Sequence, residues 1–176
     1  MNIRRGDPSD SERIRRVSAR SCRLAYEEIL DDKTLIETIE DPEMTETIRE
    51  WLDETHDDDR VIYLVACGDG EIWGFAQVLT GERAPGRVDD EEAYLKSLYV
   101  HPDRWGSGVG SELLSTAIDR LSDRITRLSL DVLVDNDIGR RFYEKHGFKQ
   151  VGTGGYEVSG VRYDTVIYEK SLVGRP

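Results

Sequence analysis

The chain has 176 residues, which is a usual length for one domain with a hydrophobic core of its own. Its formal net charge of −12 argues against nucleic acid as the main partner, because phosphate contacts need a basic surface. No apolar run is long enough to span a membrane and no signal-peptide pattern is present, so we expect a cytoplasmic protein without a membrane partner. Residues 1–176 are predicted to form a single domain.

The acidic residues are spread along the chain, and the basic residues are mostly arginine. Two interpretations of this acid-rich, lysine-poor composition stay open, a protein from a salt-loving cell and an ordinary acidic cytoplasmic protein. Both concern the source of the protein and leave its reaction undecided.

The cysteines and histidines indicate neither a disulfide framework nor a metal site. Cys22 and Cys67 lie far apart in the sequence, and His56, His101 and His146 are not spaced from them as metal ligands are. We therefore expect no metal.

The first third of the chain predicts one strand and several helices. A short strand is predicted at Ile3–Arg5, and Ser9 and Glu12 have the spacing of a capping box that opens the first helix. A break near residues 31–32 precedes a short second helix, and apolar residues at i, i+4 and i+8 predict a further helix from Glu43 to His56.

A β-hairpin is predicted next. Val61–Cys67 is a continuous apolar strand, the Gly-Asp-Gly at 68–70 indicates a tight turn, and Ile72–Leu79 returns antiparallel. The following segment, Thr80–Glu92, is long, charged and interrupted by glycine and proline. We interpret it as a mobile surface loop beside the active site.

The centre of the chain predicts a strand, a glycine-rich turn and a helix. Tyr94–Val100 is suited to a strand, which the His-Pro-Asp at 101–103 ends. A single apolar stripe predicts a helix from Val109 to Leu121. Between strand and helix lie three alternate glycines, at positions 106, 108 and 110.

Three glycines within five residues favour an anion site. They suit a backbone that a ligand must approach closely, and the first turn of a helix supplies free N–H groups and a positive dipole end. The alternative is a flexible loop that precedes a helix. The segment is not a Walker loop, since no Lys-Ser or Lys-Thr follows, and its spacing is a poor match to a dinucleotide fingerprint.

The last third predicts a mixed sheet with helices on both faces. Arg127–Val134 follows the central helix as a strand, and the right-handed crossover makes strands 94–100 and 127–134 a parallel pair. A helix at Asp137–His146, capped by Asp135 or Asn136 and closed by Gly147, precedes an antiparallel pair at 149–153 and 162–171. The predicted sheet has six to seven strands and is mostly antiparallel.

The glycine segment resembles the acyl-CoA loop of the GNAT superfamily of N-acetyltransferases. That loop has Arg or Gln, two residues, Gly, one residue, and Gly or Ala, and Gly108 and Gly110 match its two small positions. Trp105 stands where the family has Arg or Gln, and the neighbouring Arg104 is a candidate for the missing charge.

A second stretch is similar to a later motif of the same family. Asn136 is followed seven residues on by Tyr143 and then by Gly147-Phe148, as in that motif. With the strands around them, the two motifs extend the resemblance over nearly the whole chain. It implies the GNAT fold and acetyl-CoA as co-substrate.

The resemblance also implies roles for individual residues. Tyr143 would protonate the leaving CoA thiolate, Asn136 would bind the pantetheine arm, and Tyr26 and Tyr94 would lie near the acceptor amine. Members of the family are often dimers. The implied cofactor-binding set comprises Leu98, Tyr99, Val100, Arg104, Trp105, Gly106, Ser107, Gly108, Val109, Gly110, Ser111, Asn136 and Tyr143.

The reaction also needs a base, because a primary amine is protonated at neutral pH. Many relatives have a glutamate at the position of Tyr94, and here Glu92, two residues earlier on the same strand face, is the predicted base. Glu91 and a water relay to a backbone carbonyl are alternatives.

Two functions from different classes follow. The first is an N-acetyltransferase that transfers acetyl from acetyl-CoA to a primary amine by direct attack, without a covalent enzyme intermediate. The second is a catalytically silent acyl-CoA-binding or interaction module on the same fold, and a dehydrogenase is a third interpretation. The acidic surface favours a cationic acceptor such as a polyamine, an aminoglycoside or a peptide N-terminus.

Overall fold

The computed structural model describes residues 1–31, 41, 43–158 and 160–174. Within these ranges the chain forms a mixed sheet and four α-helices, as the sequence predicts. The predicted short helix after residue 31 lies outside the described residues. The strands are β1 (Asn2–Arg5), β2 (Val61–Gly68), β3 (Glu71–Thr80), β4 (Glu92–Val100), β5 (Arg127–Leu133), β6 (Lys149–Val158) and β7 (Val161–Ser171), and the helices are α1 (Ser11–Tyr26), α2 (Met44–Glu54), α3 (Val109–Asp119) and α4 (Asp137–Lys145).

The strand order is β1-β2-β3-β4-β5-β7-β6. Every neighbouring pair is antiparallel except β4 and β5, which are parallel because α3 crosses over between them. This confirms the predicted mixed sheet with one central parallel pair.

The parallel pair separates soon after it begins. Pairing joins only Glu92–Tyr94 of β4 to Arg127–Ser129 of β5, although β4 continues to Val100 and β5 to Leu133. Beyond these three residue pairs the two strands diverge, and a gap opens in the middle of the sheet.

Alternate residues of the strands point to two separate cores, one on each face of the sheet. On β2, Leu64 packs in the larger core with Leu113 of α3, while Val65 packs in the other core with Ile14 of α1 and Leu52 of α2. This alternation is the two-residue period of a strand that is covered by helices on both faces.

The start of α1 differs from the prediction. The capping box is formed by Asp7 and Asp10, not by Ser9 and Glu12, because a 3₁₀ turn at Pro8–Asp10 precedes the helix. Asp7 accepts from the Ser9 backbone N–H, and Asp10 accepts from the Asp7 backbone N–H. The helix therefore begins at Ser11, one residue later than a cap at Ser9 would place it.

The β2–β3 turn is the predicted tight turn. Asp69 and Gly70 have positive φ angles of 55° and 78°, which short polar residues and glycine tolerate best. The final hairpin is longer than predicted, since β6 continues from Lys149 to Val158 alongside β7.

Candidate active site

Two cavities lie where β4 and β5 diverge. The first, which we call the loop cavity, has a volume of about 340 Å³ and lies between β4, the glycine segment and α4. The second, the strand cavity, has a volume of about 650 Å³ and lies between β4, β5 and β6. The two cavities share wall residues, namely Tyr26, Leu98, Tyr99, Asn136, Gly139 and Tyr143.

The glycine segment forms one wall of the loop cavity. Gly106 and Gly108 have φ angles of 74° and 90°, and a Cβ atom added to either would meet nothing within 4 Å. Their backbone is therefore both left-handed and open to the cavity, which favours glycine at these two positions. At position 110 glycine is favoured for a different reason, because a Cβ atom there would lie 3.2 Å from the Phe142 ring.

The N-terminus of α3 faces this cavity. Its N-cap residue, Gly108, provides no side-chain cap, and the first N–H groups of a helix have no partner within the helix. Val109, Gly110 and Ser111 of this first turn all line the cavity. The arrangement supplies backbone donors and the positive end of the helix dipole, as an anion site requires.

Trp105 has a structural role at the position where the family motif has Arg or Gln. Its indole N–H donates to the Val100 carbonyl oxygen at 2.7 Å, and the Ser21 hydroxyl donates to the same oxygen at 2.6 Å. These bonds attach the glycine segment and α1 to the end of β4. The guanidinium of Arg104 lies 4.1 Å from the centre of the Trp73 ring, and Arg104 also lines the cavity.

The structure brings together nearly all of the predicted cofactor-binding residues. Ser107 is the exception, since it does not line either cavity and its hydroxyl donates to the Arg104 carbonyl oxygen at 2.6 Å. The predicted residues that line the loop cavity are Leu98, Tyr99, Val100, Arg104, Trp105, Gly106, Gly108, Val109, Gly110, Ser111, Asn136 and Tyr143.

Asn136 belongs to the wall that both cavities share. It is the N-cap of α4, and its Oδ1 accepts from the Gly139 backbone N–H at 2.9 Å. The residue is buried, with 8% of its surface exposed. The side chain is therefore a helix cap and a cavity wall at the same time.

Tyr143 also separates the two cavities. Its ring packs edge-on against Phe142 and Phe148, with centroid distances of 5.3 and 5.5 Å. Burial raises the pKa of its hydroxyl well above the usual range, and the neighbouring Tyr26 and Tyr94 hydroxyls raise it further. Tyr143 therefore keeps its proton at neutral pH, as a proton donor must.

The predicted base has a position that does not favour that role. Glu92 is buried at the start of β4, and its carboxylate lies 3.7 Å from the Arg127 guanidinium and 4.0 Å from that of Arg87. Neither Glu92 nor Glu91 lines a cavity. The carboxylate of Glu92 is instead part of an ion-pair cluster at the end of the sheet.

The predicted acceptor residues do line the strand cavity. Tyr26 lies at the end of α1, and Tyr94 lies on β4 just before the strands diverge. The Tyr94 hydroxyl donates to Asp131 at 3.1 Å, and the Arg87 guanidinium lies 5.1 Å from the Tyr94 ring centre. Arg87 comes from the predicted surface loop, which therefore contributes to the cavity wall.

Asp131 and His146 are among the polar cavity residues that the sequence did not predict. Asp131 lies in the strand cavity, and the signal that could have indicated it was a carboxylate between Leu130 and Val132 in the predicted strand. His146 lies in the loop cavity, where its Nε2 is 2.8 Å from the Ser111 hydroxyl. The other residues of the loop cavity that were not predicted are Ser21, Ala25, Ile138, Gly139, Phe142 and Lys145.

Comparison with known proteins identifies the family. The family model described as the acetyltransferase (GNAT) family matches residues 24–148 of this chain. The chain therefore belongs to the GNAT family of acetyltransferases, as the two sequence motifs predict.

Relatives and solved structures agree with this assignment. Uncharacterized N-acetyltransferases of Mycobacterium bovis and Mycobacterium tuberculosis are 26% identical over 166 residues, which cover 94% of this chain and 99% of each relative. The PaiA N-acetyltransferase from Thermoplasma acidophilum in complex with coenzyme A has a TM-score of 0.76 at 22% identity, covering 97% of this chain and 98% of that one. A ribosomal-protein-alanine N-acetyltransferase from Brucella melitensis has a TM-score of 0.73 at 21% identity, covering 98% of this chain and 100% of that one.

Among the described residues, no group of three or more His, Cys, Asp and Glu side chains is placed to hold a metal ion. No helix in the described ranges is both long and apolar enough to cross a membrane.

Proposed function

We propose that this chain is a single N-acetyltransferase domain that transfers an acetyl group from acetyl-CoA to a primary amine by direct attack. The observation that carries the proposal is the meeting of two cavities across Tyr143 and Asn136 at the divergence of β4 and β5. Two substrates entering from opposite sides would meet there without a covalent enzyme intermediate.

The loop cavity fits coenzyme A. The open backbone at Gly106 and Gly108 and the uncapped first turn of α3 offer N–H donors for a diphosphate. Arg104 adds a positive side chain to the same wall. Leu98, Tyr99 and Val100 of β4 would lie along the pantetheine arm, since β5 does not pair with them.

Tyr143 and Asn136 would act at the reacting end of the cofactor. Tyr143 keeps its proton because burial raises its pKa, so it is suited to protonate the thiolate that leaves when the thioester is cleaved. Asn136 would orient the pantetheine arm while its Oδ1 caps α4.

The strand cavity would hold the acceptor amine, with Tyr26 and Tyr94 in its wall. The larger volume of this cavity and its mixture of tyrosines with charged residues suit a polar acceptor. The Thermoplasma relative solved with coenzyme A and the ribosomal-protein-alanine acetyltransferase of Brucella support the assignment of the cofactor and the class of reaction.

A homodimer and a cytoplasmic location are parts of the same proposal.

Calorimetry followed by a thiol-release assay tests the proposal. The wild-type chain is titrated with CoA and with acetyl-CoA, and is then assayed for free thiol with spermidine, kanamycin and a peptide with a free N-terminus. We expect binding of both cofactors and thiol release that depends on the amine.

A matched pair of variants tests the location of the cofactor site. Gly108→Asp places a carboxylate in the loop cavity and should abolish CoA binding, because it would repel the diphosphate. Gly86→Asp adds the same charge at a position that lines neither cavity, where a Cβ atom meets nothing within 4 Å. Equal CoA affinities for these two variants would show that the glycine segment does not bind the cofactor.

The silent module differs from the enzyme in one result. A wild-type chain that binds acetyl-CoA but releases no thiol with any amine of the panel would favour the binding module. A wild-type chain that binds neither cofactor would contradict both functions.

A further inference from the structure

Among the described residues that line the strand cavity, Asp131 is the one with an acidic side chain. It lies on β5, two residues beyond the last residue that pairs with β4. Its Oδ2 accepts from the Tyr94 hydroxyl at 3.1 Å and from the Arg87 guanidinium, and its Oδ1 accepts from the Thr165 hydroxyl at 3.2 Å. Its side chain has 18% of its surface exposed, so the carboxylate is held in one orientation and stays in contact with the cavity.

Tyr94 connects this carboxylate to the reaction site. Its hydroxyl hydrogen is directed to Asp131 and the Arg87 side chain also bonds this hydroxyl, which leaves one lone pair on the oxygen to accept. Tyr94 lines the same cavity as Tyr143, and the two hydroxyls are close enough to influence each other electrostatically. Tyr94 and Asp131 therefore lie side by side in the wall of the strand cavity, joined by this hydrogen bond.

The proposed reaction needs such a path for a proton. The acceptor enters as an ammonium group and must lose one proton before its nitrogen can attack. The predicted base, Glu92, lines neither cavity, so its carboxylate does not face the acceptor. Asp131 is the carboxylate that the cavity itself offers.

We propose that Asp131 is the proton acceptor for the amine and that the proton reaches it through the Tyr94 hydroxyl. This inference rests on the proposed function. One N–H bond of the ammonium breaks as its proton moves to the Tyr94 oxygen, while the Tyr94 proton moves to Asp131 Oδ2. The neutral nitrogen then attacks the thioester carbon, so that a C–N bond forms and the C–S bond breaks.

The protons balance over the whole reaction. The leaving thiolate takes the hydroxyl proton of Tyr143, and the second proton lost by the nitrogen restores that hydroxyl. Asp131 returns its own proton to the solvent when the product leaves. No oxidation or reduction occurs, and no group other than the two substrates is consumed.

The surroundings of Asp131 support this assignment. The groups that face it are Arg87 from the loop before β4, Tyr94 of β4, Thr165 of β7 and, at longer range, Tyr156 of β6. Burial and the Asp131 charge raise the pKa of Tyr94, so its hydroxyl keeps the proton that the relay needs.

The test compares Asp131→Asn, Tyr94→Phe and the double variant with the wild type. The acceptor is the amine of the spermidine, kanamycin and peptide panel that gives the fastest thiol release. We expect each single variant to lower kcat/KM by about 10²-fold, with CoA affinity unchanged by calorimetry. The double variant should be no slower than the slower single variant, because the two residues act as one unit.

The pH profile separates a proton path from a structural role. The wild type should show a plateau near neutral pH. The Asp131→Asn variant should instead gain about tenfold in rate per pH unit below the amine's own pKa, which is about 10.4 for a lysine-like amine and about 8 for a peptide N-terminus, since only the already neutral amine can react. Tyr94→Glu in the Asp131→Asn background places a carboxylate in direct reach of the amine, and at least tenfold recovery is expected.

Two matched control variants test whether losing a similar hydroxyl or carboxylate outside the cavities changes the rate. Tyr168→Phe removes a tyrosine hydroxyl that also donates to a carboxylate, that of Glu144 at 2.7 Å, but lines neither cavity. Asp89→Asn removes a carboxylate that also pairs with an arginine, Arg127, outside both cavities. Both controls should keep the wild-type pH profile.

The outcomes distinguish this inference from the proposed function. An active wild type with equally active Asp131→Asn and Tyr94→Phe variants contradicts the proton path and leaves the acetyltransferase function intact. Slow variants whose pH profile keeps the wild-type shape, or a Tyr94→Glu rescue that fails in a folded protein, also contradict it. A wild type that releases no thiol contradicts the proposed function, and the proton path is then rejected with it.

Discussion

The Nε2 atom of His146 lies 2.8 Å from the hydroxyl oxygen of Ser111, and this contact joins the end of α4 to the first turn of α3. The other ring nitrogen, Nδ1, lies 2.8 Å from the Phe142 carbonyl oxygen. Because a carbonyl oxygen can only accept, Nδ1 must carry the hydrogen, and in the neutral ring Nε2 accepts from Ser111. The pair therefore fixes the two helices on either side of the loop cavity.

Ser111→Ala should weaken CoA binding by about two- to tenfold, which corresponds to the loss of one hydrogen bond of roughly 0.5–1.5 kcal/mol. His146→Ala should have an effect of similar size, and the double variant should be little worse than either, because one contact is lost in all three. Titration calorimetry with CoA measures these affinities. Ser115→Ala, on the exposed side of the same helix and outside both cavities, is the matched control. Affinities that match this control would show that the contact does not support the cofactor site.

Tyr143→Phe should lower kcat by at least about 10²-fold while CoA affinity stays near the wild-type value. Burial disfavours the phenolate and raises the pKa of Tyr143, so deprotonation needs a pH above the usual range. The acid form is therefore present throughout, and the rate should show no alkaline loss due to this residue up to a pH of about 10.

Steady-state rates between about pH 6 and pH 10 test this expectation. Tyr63→Phe is the matched control, because Tyr63 is a second buried tyrosine whose pKa is raised by burial and it lines neither cavity. A Tyr143→Phe variant as active as this control would exclude the acid role.

Gly74→Ala should destabilise the fold by about 1–3 kcal/mol, because overpacking at a close approach forces the backbone to move. A Cβ atom on Gly74 would lie 2.8 Å from the Tyr99 carbonyl oxygen of the neighbouring strand. Gly152→Ala is the matched strand control, since its nearest neighbour would be 3.8 Å away. Urea unfolding measures both variants, and equal midpoints would show that β3 and β4 adapt without cost.

Asp10→Asn should reduce the free energy of unfolding at pH 7 by about 1–3 kcal/mol, as loss of a hydrogen-bonded charge does. Arg4 binds both carboxylate oxygens, at 2.6 and 2.9 Å. Burial alone would raise the pKa of Asp10, but the bonds from Arg4 and from the Asp7 backbone N–H outweigh burial and lower it.

The sign of the pH dependence follows from this lowered pKa. The contribution of Asp10 is fully present above the unfolded-state pKa of about 3.9 and is lost as the pH falls through the lower folded-state pKa. Urea unfolding from pH 7 to pH 2 should therefore show a shallower acid loss for Asp10→Asn than for the wild type. Asp59→Asn, at an exposed site, should keep the wild-type slope.

Features that depend on neighbouring residues were predicted well. The apolar stripe of α3, the glycine segment and the Asn136 cap are local patterns, and the structure has them at the predicted positions. The predicted capping box at the start of α1 lay two residues too late. Asp7 and Asp10 have the same spacing as Ser9 and Glu12, and Pro8 favours the earlier start.

Local sequence patterns could not predict the strand cavity. Arg87 and Asp131 are 44 residues apart in the sequence, and Asp131 and Thr165 are 34 apart. Their meeting depends on the register of β5 with β7 and on the point where β4 and β5 separate, which no short pattern specifies. Alternation along β4 correctly put Glu92 and Tyr94 on one strand face, where Arg87 lies near both. Only the divergence of the strands shows that Tyr94 reaches a cavity and Glu92 does not.

Because only three residue pairs hold β4 to β5, the sheet consists of two half-sheets joined at one end. Beyond Tyr94, alternate peptide groups of β4 face this gap with no strand of β5 beside them, while the others face β3. A ligand in the loop cavity would bridge the halves, so its binding energy would add to the resistance of both to unfolding. Slower deuterium exchange of the amides between residues 95 and 100 would then be the most direct sign that the cleft is filled.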